Sequence, residues 1–204
     1  MKKIVYLIII SLILSSNSFA ATKESVHQEL INIYKHVTQV SFEFTLLQEK
    51  FKGYLTAKSG NKYKMVIGER VIISNGKTIW NYSEKDNKVV ISDFEELSDQ
   101  VSIDKIFFSF LNKFKPVKLS EATTSKGVKS YILTLKTDEK FQSLMHISTV
   151  DIWVDMGTYD IIQFEITEPQ KMTWIIDKLK LRKKSEDSIF EFKPNDSCTV
   201  IDLR

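Results

Sequence analysis

The chain has 204 residues, 43% of them hydrophobic, with 27% charged side chains and a formal net charge of +3. So small an excess gives no charge-based case for nucleic acid, whose binding rests on neutralising phosphates. One cysteine, Cys198, excludes an intrachain disulfide and leaves stability to burial.

Met1-Lys2-Lys3 is a short basic start, Ile4 to Leu14 is apolar apart from Tyr6 and Ser11, and Ser18-Phe19-Ala20 supplies small residues. This is the pattern of a secretory signal peptide over 1–20, cleaved after Ala20, because the run is too short to span a bilayer. No cysteine follows the small residues, so no lipid attachment is expected. Residues 21–204 are expected to form one domain of 184 residues, and losing Lys2 and Lys3 lowers the formal charge to +1. The predicted location is the periplasm.

From Ser25, Val26, Leu30, Ile33 or Tyr34, Val37 and Val40 form one helical stripe, with Ser25 and Gln28 as a capping box. Alternation then predicts strands around Phe42-Phe44-Leu46, Tyr63-Met65-Ile67, Val89-Ile91, Tyr131-Leu135, Val150-Val154, Ile162-Ile166 and Phe190-Phe192. Between them, Ile103, Ile106, Phe107, Phe110, Leu111 and Phe114 fit a second amphipathic helix over 102–114. Ser102 or Asp99 is placed to cap it and Pro116 to stop it. Turn residues recur at roughly 8–12-residue intervals, the spacing of an all-β sandwich or barrel. Short connections predict antiparallel neighbours. The expected architecture is mainly β: one antiparallel sheet of about ten or eleven strands, curled on itself, with the Phe-rich helix as a plug or lid for its concave face.

The stretch "VIISNGKTIWNY" at 71–82 carries Gly-Lys-Thr, yet the position five before Gly76 is Val71 and a strand-like run follows. A phosphate loop needs a glycine there and a helix N-terminus after it. Asn75-Gly76 is therefore read as a hairpin turn. His27, His36 and His146 have no metal-ligand spacing. Asp151 and Asp155 share a strand face with Trp153 between them, a pair that can serve acid–base work but more often forms a solvated edge. No catalytic residue, metal or cofactor is expected.

Several segments together resemble the LolA family of periplasmic lipoprotein carriers. They are the helix leading into Ser41-Phe42-Glu43-Phe44-Thr45 and Gln48, then Gly53-Tyr54-Leu55, then 71–82, close to the family's Ser-Asp-Gly-Lys-Thr-Leu-Trp-x-Tyr signature. Phe190-Glu191-Phe192-Lys193-Pro194 and Thr199-Val200-Ile201-Asp202 resemble its closing motif. The resemblance implies an unclosed antiparallel barrel under a helical lid, with an apolar cavity for acyl chains and no catalytic activity. It implies acylated lipoproteins as cargo, taken from an inner-membrane ABC complex and passed to an outer-membrane receptor lipoprotein. A monomer is expected. The alternative is a related apolar-cavity module acting as an envelope lipid-binding or stress-sensing protein.

On this resemblance the cavity wall is expected at Phe44, Leu46, Leu55, Tyr63, Met65, Ile72, Trp80 and Tyr82, and the lid contacts at Phe107, Phe110, Leu111 and Phe114. Trp80 and Tyr82 lie two apart and so share a face; the resemblance makes it the acyl-facing one, while the apolar Ile79 leaves the reverse open. Tyr63 takes the family's aromatic cavity position and Met65 a Trp site. The family's lid-latching Arg and the Pro after it fall on Ser59 and Gly60. Lys58 is the candidate substitute, although a lysine lacks the planar fork.

Overall fold

The computed structural model describes residues 21–94, 108, 110–139, 142–143, 146–167, 170–184 and 186–204. The expected signal segment 1–20 lies outside these residues. So do Ile103, Ile106, Phe107 and the expected caps Asp99 and Ser102.

Helix α1 spans Lys23–Tyr34 and begins three residues earlier than the sequence suggests. Thr22 is the N-cap: its hydroxyl accepts from the Ser25 amide, and Ser25 Oγ accepts from the Thr22 amide. Thr22 and Ser25 thus close a capping box in which Ser25 takes the role expected of Gln28. Val26 and Leu30 are fully buried. Val37 and Val40, counted in the helical stripe, fall beyond it, and Val40 already belongs to the first strand.

Among the described residues twelve strands form one sheet. They are β1 Gln39–Leu46, β2 Phe51–Lys58, β3 Lys62–Ile67, β4 Arg70–Asn75, β5 Thr78–Ser83, β6 Lys88–Asp93, β7 Lys115–Thr123, β8 Lys129–Lys136, β9 Thr149–Asp155, β10 Ile161–Ile166, β11 Met172–Arg182 and β12 Thr199–Asp202. Their order is β12-β6-β5-β4-β3-β2-β1-β11-β10-β9-β8-β7, so two meanders join through the β1–β11 pair. The sheet is curled and unclosed, as expected. It departs from the expectation in number and at one edge, where β12 runs parallel to β6. The physical reason is its connection: β12 arrives after the long segment 183–198 rather than by a hairpin, and only hairpins force an antiparallel neighbour.

Three further departures follow from local chemistry. Helix α2 is described over Phe110–Lys113, and Pro116, expected only to stop it, lies beside Lys115 at the start of β7. Proline is tolerated there because β7 is the sheet edge and no outer neighbour needs its missing N–H. Residues 190–192 form no strand; Ser188–Phe190 is a 3₁₀ turn that drives Phe190 into full burial. The longest strand, β11, hides behind its charges in the run Lys178-Leu179-Lys180-Leu181-Arg182.

The face of the sheet that carries the helices is here called inner, and the opposite face outer. On the inner face Val26 and Leu30 of α1, with Phe110, Leu111 and Phe114, pack on Leu133 and Leu135 of β8, Val150, Ile152 and Val154 of β9 and Ile161 of β10. Burial above all pushes the pKa of the Tyr34 phenol up at the end of α1. On the outer face of β4–β6, Val71, Ile73, Val89 and Ile91 are buried, and the turn at 188–190 lies against β3 and β4. That C-terminal segment leaves β11 and straps the outer face.

Candidate functional site: an apolar trough on the inner face

Directly opposed residues of antiparallel strands share a face, so the register fixes which side chains meet. Phe44 opposes Gly53, Phe42 opposes Leu55, Val40 opposes Ala57 and Leu46 opposes Phe51. Leu55 opposes Met65 and Ala57 opposes Tyr63, while Met65 in turn opposes Ile72. On the other flank Phe44 opposes Ile176, Leu46 opposes Trp174 and Val40 opposes Leu181. One apolar trough thus runs from β11 across β1 and β2 to β4, with Phe164 of β10 joining it to the packing under α1.

Gly53 shapes the floor of this trough. A Cβ on it would lie 2.4 Å from Phe44 Cζ and 2.8 Å from the Val66 carbonyl oxygen. Only glycine lets the Phe44 ring lie across β2. There Phe44 meets Phe42 and Phe51 edge-on, with centroids 6.3 and 6.1 Å apart. Gln48 clamps one end of β1 to β11: its carboxamide oxygen accepts from the Thr173 amide at 2.8 Å, and its amide nitrogen donates to Thr173 Oγ1.

Burial is graded along the trough. Phe44 is 8% exposed and Leu55 4%, whereas Tyr63, Met65, Ile67 and Ile72 are only half-buried. Phe108, also half-buried, packs against the buried cluster of Val40, Phe42, Phe44, Leu55, Ala57 and Ile176. Burial pushes the pKa of the Tyr63 phenol upward, which keeps the ring neutral. The β3–β4 end is therefore an apolar wall that keeps part of its surface open.

The expected wall residues divide. Phe44, Leu46, Leu55, Tyr63, Met65 and Ile72 lie together on the inner face. Trp80 and Tyr82 do not: they oppose Ile73 and Val71 on the outer face, and Ile79 and Asn81 take the inner positions of β5. The Tyr82 ring lies 4.8 Å from that of Phe192, and its hydroxyl donates to Asn87 Oδ1. Both aromatics are thus drawn to the side covered by the C-terminal strap. Phe110, Leu111 and Phe114 pack over β8–β10 rather than on the trough, although Phe110 stands 5.9 Å from Phe164 at the junction. Phe107 lies outside the described residues.

Lys58 points to the outer face. Its ammonium donates to Asp187 at 2.5 Å, beside Lys62 at 2.6 Å. Those two cations hold the Asp187 carboxyl down at about 2. Ser59 is exposed in the β2–β3 turn. What ties the helical pieces to one another is His27 of α1, whose Nε2 donates to the Leu111 carbonyl oxygen at 2.7 Å.

Sequence reasoning missed Phe51, Phe108, Trp174, Ile176, Leu179 and Leu181. Alternation within 178–182 was the available signal for the two leucines. Phe108 gave none, because it falls off the i, i+3, i+4 stripe.

Other chemistry is sparse. The Asn75 side chain accepts from the amides of Lys77 and Thr78, and Gly76 alone of the turn pair has positive φ, +85°. The two residues between the strands are thus Gly76 and Lys77 rather than Asn75 and Gly76, and a strand, not a helix, follows them. Gly76 must also be glycine because a Cβ would meet the Gly60 carbonyl oxygen at 2.3 Å. Asp155 Oδ1 accepts from the amides of Gly157 and Thr158, which commits it to a turn. Among the described residues no three His, Cys, Asp or Glu side chains converge, and no helix is long and apolar enough to cross a membrane. An outer cleft of about 320 Å3, walled by Glu43, Lys52, Tyr54, Val66 and Asp177, also reaches Phe44 and Gly53 at the floor of the trough.

A family model described as outer membrane lipoprotein carrier protein LolA matches residues 38–193. Solved structures align with most of the chain at low identity. An uncharacterized conserved protein from Thermus thermophilus aligns at 12% identity with a TM-score of 0.51, covering 86% of this chain and 98% of that one. A LolA superfamily protein from Nitrosomonas europaea aligns at 14% identity and a TM-score of 0.39, covering 85% and 99%. The lipoprotein LppX of Mycobacterium tuberculosis aligns at 12% identity and 0.49, covering 79% and 96%. No curated protein matches the chain by sequence.

Proposed function

The chain belongs to the outer membrane lipoprotein carrier protein LolA family, and from that premise we propose that it carries the acyl chains of lipoproteins across the periplasm. The observation that carries this reading is the graded trough: Tyr63, Met65, Ile67 and Ile72 continue the buried floor of Phe44 and Leu55 but stay only half-buried.

Each methylene of an acyl chain moved from water into such a surface contributes about 0.8 kcal/mol. The same chain forfeits a similar amount on leaving a bilayer, so the net transfer is small and reversible, as a carrier requires. Phe108 fills part of the trough without cargo and yields its place when a chain enters, exchanging one apolar contact for another. Met65 adapts to the irregular outline of an acyl chain, since a thioether has three rotatable bonds and a polarizable sulfur. His27 holds the carbonyl of Leu111, so the Phe110–Phe114 side stays packed on β8–β10 while the trough is remodelled. No group transfer is involved, and no cofactor is required. Cargo is received from an inner-membrane ABC complex and handed to an outer-membrane receptor lipoprotein, after export and removal of residues 1–20.

The test is release of a lipoprotein from inner-membrane spheroplasts on adding the chain. Release into the soluble fraction by the parent chain, and none by Met65→Lys, is the expected result. A parent chain that releases nothing refutes the reading.

A further inference from the structure

On the outer face, the end of β11, β1, β2 and β3 that begins at Arg182 concentrates positive charge, while Glu43 and Asp177 stand farther along β1 and β11 and pair with Lys178 and Lys126. Register aligns Arg182, Gln39, Lys58 and Lys62 in one row, and Lys180, Ser41, Thr56 and Lys64 in the next. Gln39, Ser41 and Thr56 are buried, so the side chains that reach the surface in both rows are cationic. The strap leaving β11 adds exposed Lys183 and Lys184. Lys58 and Lys62, directly opposed, are bridged by Asp187. Lys64, Lys180, Arg182, Lys183 and Lys184 make no ion pair among the described residues.

Like charges gathered on one sheet face cost stability. Folding draws nothing from these five, and the chain as a whole is close to neutral, so the concentration here is local rather than compositional. We propose that this face docks on anionic phospholipid headgroups, with Lys64, Lys180, Arg182, Lys183 and Lys184 facing the phosphates. Lysine predominates, and its mobile point charge suits a fluid array of headgroups. A fixed carboxylate partner is met better by the planar arginine fork. Four adjacent strands give a width of about 14 Å at the usual strand spacing, broad enough for a diffuse surface rather than a single anion. The docking does not depend on the trough holding an acyl chain, so each can fail without the other.

Vesicle flotation of the full chain tests it. Binding to phosphatidylglycerol–phosphatidylcholine vesicles but not to pure phosphatidylcholine is expected, weakening as salt rises. The triple variant K64E/K180E/R182E loses about tenfold or more in vesicle affinity, and K64Q/K180Q/R182Q loses less with an unchanged melting temperature. K85E/K115E/K118E, the same charge change on exposed lysines elsewhere, keeps most of the binding. Equal loss in both reversal triples, equal binding to both vesicle types, no vesicle binding, or a basic face that captures only an acidic protein each overturns the proposal.

Discussion

The inner face of one sheet is finished in two different ways. Over β8–β10, α1 and the Phe110–Phe114 segment seal the apolar side chains: Leu133, Leu135, Ile152 and Val154 are each 0% exposed. Over β3 and β4 the same alternation of apolar residues continues, but Tyr63, Met65 and Ile72 keep part of their surface open. The two halves share backbone, register and composition. What separates them is burial, and on the proposed carrier function stability and cargo capacity fall to neighbouring parts of one surface. A fully packed core resists the exchange of contacts that a carrier needs, and a half-covered wall permits it.

The largest effects should come from the sealed half. Leu133→Ala and Ile152→Ala are each expected to cost about 2–5 kcal/mol, the range for a buried large-to-small change, while Met65→Ala costs under about 1 kcal/mol; denaturant titration of all three checks this. Equal costs would erase the distinction. Gly53→Ala comes next, at about 1–3 kcal/mol, because its Cβ meets the Phe44 ring and the Val66 carbonyl oxygen. Combining it with Phe44→Leu should recover part of that loss, a non-additivity that a double-mutant cycle reads directly.

Smaller effects belong to the ties around the sheet. His27→Ala removes the bond to the Leu111 carbonyl and is expected to cost about 1 kcal/mol, with faster uptake of an apolar dye by the trough. The smallest concerns the strap. Asp187 is held at about 2 against an ordinary 3.8, so its contribution is fully present above about pH 4 and is lost as pH falls from there toward 2. Asp187→Asn should flatten that limb of the pH–stability curve and leave neutral-pH stability nearly unchanged, since the pair is exposed.

Much of this was legible in the residues, for reasons that differ by element. Strands with a clean period of two, such as Phe42-Phe44-Leu46 and Tyr63-Met65-Ile67, showed both their type and their shared face. The face of Trp80 was not legible: Thr78-Ile79-Trp80-Asn81-Tyr82 offers apolar residues at both phases, and only pairing with Val71 and Ile73 settles it. The parallel edge strand β12 was hidden because the direction of a four-residue strand depends on where its connection travels. β7 was obscured by Pro116, a poor strand residue anywhere but at an edge. Thr22 lost its cap to Ser25 on paper because both are good N-caps three residues apart, and the choice rests on where α1 meets the sheet.

The most direct test places a photo-crosslinking side chain at Met65 and, separately, at Trp80, then presents acylated lipoprotein. The account predicts crosslinks to the acyl chains from position 65 and none from position 80. Crosslinks from 80 but not 65 would contradict it, and would move the cargo to the outer face of the sheet.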